Sequence, residues 1–262
     1  MFTAMKRMYL MAVAAALSCA CSVKEERSEC PCLLNLVFDE VIDSGRFDEA
    51  VATVGPSPEL LIGQELVEME ECRESGYEVS VPRKTMMTSV VCGCGEDLFN
   101  AVSVRAGTSG VMAFSGEVEC RDDREDVLVD LHKQYCCLTL VMEGYRSADE
   151  LPFEIRISAP TDGIGLYDLK PCGGPFSATV SGDLTVNVPR QDPGAVITLG
   201  LYDGDGNLFF ESDISEKLRK VGYDWTDTDL ADAVVVLDYA RLDCDIEILP
   251  WDDNGQYRQI DI

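Results

Sequence analysis

The sequence predicts an all-β protein made of two β-sandwich domains, with short helical insertions in the second. Three observations carry that expectation. Apolar or alternating runs of roughly four to eight residues recur along the chain, separated by turns that contain Gly, Ser and Pro. Helix signals occur at two places only, both late in the chain. A charged run, Arg121-Asp-Asp-Arg-Glu-Asp126, breaks the strand pattern and divides the 262 residues into parts of sandwich size. The expected organisation is a leader at 1–20, one domain at 21–126 and another at 127–262, the alternative for the charged run being a solvated turn.

Residues 34–38 open the strand series with apolar side chains at alternate positions. Segments 61–67, 77–81, 86–91, 101–104 and 111–114 continue it in the first half. In the second half the strands are expected at 137–141, 153–157, 176–180, 184–188 and 196–201. In the last of these, Ile197, Leu199 and Leu201 share one face, and Asp203-Gly-Asp-Gly206 turns the chain into 208–210 as a hairpin. A helix is expected at 215–221, begun by Ser215, with Lys217, Arg219 and Lys220 late and Gly222 just past its end. Thr226 and Asp229 have the spacing of a capping box for a second helical turn. Strands at 234–239 and 245–249 close the domain.

The charge balance narrows the function classes. With 48 acidic against 21 basic residues the formal net charge is −27, so no stretch is equipped to neutralise a run of phosphates, and nucleic acid is not an expected partner. The single histidine, His132, leaves one possible base for any Ser-His or Cys-His pair, and Gly107-Thr-Ser-Gly110 is not a nucleophile elbow. No enzymatic activity is expected. Asp203-x-Asp205-x-Asn207 begins like a calcium loop, but Leu208 stands where the glycine belongs and Ile214 where the bidentate glutamate belongs, so no metal is expected. Trp225 and Trp251 are candidates either for stacking on sugars or for packing at domain edges.

The N-terminus carries the most specific signal. Lys6 and Arg7 precede an apolar run at 8–17, the layout of an export signal; a spanning helix needs about 20 apolar residues, and the charges from Lys24 onward come too soon. Ser18-Cys19-Ala20 before Cys21 resembles the lipobox of bacterial lipoproteins, in which the chain is cut before a lipid-bearing cysteine. Cys21 is the favoured attachment site and Cys19 the alternative. The ten remaining cysteines, at 30, 32, 72, 92, 94, 120, 136, 137, 172 and 244, permit disulfides in an exported chain but do not dictate a pairing. The competing reading is that they are small buried hydrophobes on strands.

These features recur together in one family. Cys21-Ser-Val-Lys-Glu-Glu-Arg27, then Cys30-Pro31 and the strand at 34–38, resembles the start of the fimbrial anchor (minor subunit) lipoproteins of Bacteroidales. The similarity continues through His132-Lys-Gln-Tyr135, Pro189-Arg-Gln191, Gly222-Tyr-Asp-Trp225, Asp229-Leu230 and Asp238-Tyr-Ala240. The resemblance implies two transthyretin-like sandwiches and no catalytic residues. It also implies a surface-exposed outer-membrane protein whose one covalent addition is the diacylglycerol and N-acyl chain at the lipidated cysteine. The implied partner is a fimbrial shaft subunit, whose polymer the protein attaches and limits; the alternative is a surface lipoprotein that binds glycan or another ligand outside any filament. In the tail, Arg258, Ile260 and Ile262 share one strand face and are candidates for the joint with a neighbour, against a last strand of its own sheet or a frayed end.

Overall fold

A computed structural model describes residues 30–94, 102–142, 144–238 and 241–249. In chain order the first strands are β1 (Cys32–Val37), β2 (Glu49–Gly55), β3 (Gly63–Glu68), β4 (Tyr77–Val81), β5 (Thr85–Cys92), β6 (Ser103–Arg105), β7 (Met112–Glu119), β8 (Arg124–Leu128) and β9 (His132–Lys133). They are followed by β10 (Tyr135–Val141), β11 (Glu154–Ala159), β12 (Gly163–Gly165), β13 (Pro171–Cys172), β14 (Phe176–Thr179) and β15 (Thr185–Pro189). The last are β16 (Thr198–Tyr202), β17 (Leu208–Asp213), β18 (Asp232–Asp238) and β19 (Asp243–Leu249). The protein is all-β, with three short α-helices among the described residues: α1 (Asp39–Ser44), α2 (Met69–Cys72) and α3 (Ile214–Lys220). Two of these lie in the first half, so the expectation of helical insertions only in the second is corrected. α1 stops at Gly45, whose φ of 61° ends the helix in the left-handed region that glycine enters without a Cβ clash.

The first core fills the space between two sheets. In one, β1 lies between antiparallel β4 and parallel β8; the other is antiparallel, in the order β3-β2-β5-β7-β9. Leu34 and Leu36 of β1 meet Ala50, Ala52 and Val54 of β2 and Met86 and Val90 of β5, as alternation on facing strands requires. The charged run at 121–126 is not a gap between domains. Its residues 124–126 belong to β8, where Asn35 donates to Asp126 at 2.8 Å and Arg124 donates to Glu78 at 2.7 Å. A boundary between 126 and 127 falls inside that strand; the passage from the first core to the second comes between β9 and β10.

The second core lies between the sheets β15-β10-β18-β19 and β14-β11-β16-β17, with α3 against its edge. Here the parallel pairing of β10 with β18 puts strands almost a hundred residues apart side by side. The hairpin of β16 and β17 about Asp203 forms as expected. Helix α3 begins earlier than expected, because Asp213 rather than Ser215 is its cap: the Asp213 carboxylate accepts from the backbone N–H of Ser215 at 2.9 Å and of Glu216 at 3.3 Å. Residues 226–229 are a turn and not a helix, for Asp224 instead accepts from the Thr226 N–H at 2.8 Å.

A third apolar cluster joins the halves. Val51, Val91 and Ala113, on the outer face of the five-stranded sheet, pack against Val104, Ile164 and Leu166. The five-stranded sheet is therefore covered on both faces, which explains why residues 50–55 are buried without alternation. The expected strand series passes over this segment, although its residues 50–54 form a largely apolar run. Backbone pairing of β6 with β12 completes the junction, and a side chain at Gly163 would run into the Val104 carbonyl. Beside it, Asp162 accepts from Arg105 Nε at 2.8 Å and from the Gly174 N–H at 2.9 Å.

Candidate functional site

Cys19, Cys21, Arg258, Ile260, Ile262 and Trp251 lie outside the described residues. Within them, four of the short motifs that resemble the fimbrial anchors, at 132–135, 189–191, 222–225 and 229–230, meet at one place, the turn from β9 into β10. Lys133 ends β9, is fully buried, and donates to the Leu230 carbonyl at 3.1 Å and to the Asp232 carboxylate. Its ammonium also lies 4.6 Å from the centre of the Tyr135 ring. Asp232 accepts in addition from the Cys137 N–H at 2.7 Å, so one carboxylate serves both strands. Asp229 accepts from the Lys133 N–H at 2.7 Å and contacts His132 Nδ1 at 3.1 Å.

Arg190 supplies the other half of the cluster. Its guanidinium donates to Gln134 Oε1 at 2.7 Å, to the Trp225 carbonyl at 2.6 Å and to the Thr228 carbonyl at 3.0 Å. These three acceptors lie along the planar fork that only arginine offers. Burial holds the Arg190 group below its usual range, and neighbouring Tyr223 and acidic residues partly oppose that. Gln191 ties Thr161 in, accepting its N–H at 3.1 Å and donating to its carbonyl at 2.7 Å. Tyr223 donates to the Ala231 carbonyl at 2.8 Å, and its ring packs 4.8 Å from that of Trp225. The sequence motifs thus mark a polar knot that fastens the loop at 222–232 onto the strands.

The chemistry of this knot is that of a fastener. Burial pushes the Cys136 thiol up to about 12 and drives the Tyr223 hydroxyl well above its ordinary value, so neither group is an available nucleophile near neutral pH. Trp225 is buried and presents no face for a sugar ring. At the hairpin, Asp203 closes the turn by accepting from the N–H groups of Asp205 at 3.0 Å and Asn207 at 2.8 Å, and these bonds hold its carboxyl below the usual range. Of the ten cysteines in the described residues, eight are buried, Cys172 is half-buried and Cys30 is exposed. Cys136 and Cys137 are both buried although they point to opposite faces of β10, Cys136 into the second core.

One open edge stands out. Strand β17 pairs with β16 on one side and, among the described residues, with nothing on the other. Leu208 and Phe209 are exposed along it, and Phe209 meets Phe153 edge-on at 5.8 Å.

No protein-family model and no curated protein matches this chain. Among solved structures, the fimbrial anchor protein Mfa2 from Porphyromonas gingivalis superposes with a TM-score of 0.52 at 12% identity, over 85% of this chain and 98% of that one. The chain has a fimbrial-anchor fold. The same fold appears in a candidate polysaccharide-binding protein from Bacteroides thetaiotaomicron, with a TM-score of 0.58 at 10% identity over 87% of this chain and 100% of that one. A candidate adhesin from the same organism gives 0.54 at 13% identity, over 84% and 96%. The fimbrial-anchor fold thus accommodates nearly the full length of these proteins at identities where sequence similarity alone is silent.

Proposed function

We propose that this protein is a lipid-anchored outer-membrane subunit that attaches a fimbrial polymer to the cell surface and limits its assembly. The observation that carries this reading is the likeness to a fimbrial anchor along 98% of that protein's length. The lipobox-like segment ending at Cys21 supports it independently. In this reading Cys21, or alternatively Cys19, bears the lipid, and a fimbrial shaft subunit is the partner. The protein is a structural component and not an enzyme. One acyl chain binds a membrane only marginally, at about 0.8 kcal/mol per buried CH₂, whereas several chains on one cysteine make release slow. The open edge of β17 supports a joint of the strand-addition kind, in which backbone hydrogen bonds supply affinity.

Cell fractionation tests the reading. Cys21→Ala is expected to move the protein from the detergent-soluble membrane fraction to the periplasm or medium, and to detach fimbriae from cells, while Cys19→Ala leaves both unchanged. Release by Cys19→Ala alone would transfer the anchor to Cys19; retention of both variants in the membrane would reject lipid anchoring. A second reading, a glycan-binding surface lipoprotein outside any filament, is favoured by the likeness to the candidate polysaccharide-binding protein. Recovery of glycan without shaft subunits from a surface preparation would select it.

A further inference from the structure

We propose that Cys32 and Cys120 form a disulfide that fastens the first strand to the body of the N-terminal half. Both side chains are fully buried in the same core, and the Cys120 thiol lies within hydrogen-bonding reach of the Cys32 sulfur. The backbone holds them there. Cys32 stands opposite Val81 at the end of β4, and the Cys120 N–H donates to the Lys84 carbonyl at 3.3 Å, so the two cysteines flank the corner that joins β4 to β5. Arg83, at that corner, reaches both approaches: its guanidinium donates to the Cys30 carbonyl at 3.0 Å, to the Arg121 carbonyl at 2.7 Å and to the Asp123 carboxylate. The Leu33 N–H donates to the Asp123 carbonyl at 2.9 Å, pinning the chain just past Cys32 to the chain just past Cys120. Cys136 and Cys244 have different company, Cys136 beside the Tyr223 hydroxyl and Cys244 at 3.6 Å from Ser212 Oγ.

The bond forms by thiol–disulfide exchange. An exported thiol oxidoreductase in its disulfide form, or a small-molecule disulfide, is attacked by one cysteine thiolate to give a mixed disulfide; the second cysteine then displaces the reduced carrier. Two protons and two electrons leave the cysteine pair, and the carrier becomes a dithiol, or two thiols for the small molecule. Burial, and after it the neighbouring Cys32 thiol, pushes Cys120 up to about 12, so the exchange belongs to folding, before the core closes. Once made, the bond is shielded from reductants. It closes a loop of about 90 residues, long enough for a substantial stabilising effect.

In the cell the inference rests on the export assumed in the proposed function, so its test is carried out with purified protein. The full chain is reduced, denatured, refolded in a reduced/oxidised glutathione buffer, alkylated and digested without reduction. The expected result is a peptide pair joined through Cys32 and Cys120, two hydrogens lighter than the separate peptides and lost on reduction. Cys32→Ala and Cys120→Ala should each abolish it while Cys136→Ala retains it, and the oxidised form should melt at least about 5 °C above the reduced form. Alkylation of both cysteines after refolding, or a bond from Cys120 to Cys30 or any other partner, overturns the proposal. Peptide mapping of the unsubstituted chain decides the matter even where a variant does not fold. Failure here leaves the lipid anchor untouched, and failure of the anchor leaves this bond untouched.

Discussion

Lys133 is fully buried. Ammonium groups are almost never fully buried without a partner. The partner is Asp232, which no local pattern connects to it. Removing one member of such a pair is costly because the other stays buried and uncompensated, by about 3–5 kcal/mol. The two removals differ here. Asp232→Ala removes the one carboxylate that accepts from both the buried ammonium and the Cys137 N–H, whereas Lys133→Met keeps the volume and leaves Asp232 its backbone donor. Urea denaturation at neutral pH is therefore expected to show Asp232→Ala destabilised by about 3–5 kcal/mol and Lys133→Met by less. Equal losses, or the reverse order, would contradict this account of the pair.

Element boundaries were legible where local chemistry sets them. The hairpin about Asp203 was readable from Asp-Gly-Asp-Gly, because a turn is a contract among adjacent residues. The cap of α3 lies two residues before the expected one, since Asp213 and Ser215 are both good caps and only the backbone path decides which carboxyl or hydroxyl faces the free N–H groups. Asp213→Ala is expected to lower stability by about 1 kcal/mol at neutral pH, measured by chemical denaturation. The Ser215 hydroxyl, and then the Glu216 and Ser215 N–H groups, hold the Asp213 carboxyl below its ordinary value. A depressed carboxyl contributes stability above its unfolded value, near 3.9, and loses it as pH falls through the folded value. The difference between the parent and Asp213→Ala should thus shrink on acidification below about pH 4; a difference that grows there would reject the cap.

At the scale of the whole molecule, the halves are joined by β6 with β12, the apolar contact of Val51 and Val91 with Ile164 and Leu166, and the Asp162 clip. Under the proposed function, lipid holds the N-terminal end and the tail engages a neighbour. Deleting residues 257–262 removes Arg258, Ile260 and Ile262. The truncated protein is expected to keep its melting temperature and its membrane fractionation but to recover fewer shaft subunits on co-purification. Unchanged recovery would reject the tail as part of the joint, and a fall in melting temperature would make it a strand of its own sheet.

By itself the sequence determined the all-β class, most strand positions, the hairpin and the motifs that resemble a fimbrial anchor. The class, the strands and the hairpin rest on side-chain period and turn chemistry, which act over a few residues, and the resemblance rests on its short motifs alone. Only the tertiary structure decided that β1 runs parallel to β8 and β10 to β18, that the charged run at 121–126 enters a sheet, that 49–55 is a central strand, and that Cys32 meets Cys120. Each of these depends on a partner distant in the chain. Burial on both faces erases alternation, a paired charge is buried as readily as an apolar group, and no short-range pattern records which far segment provides the cover.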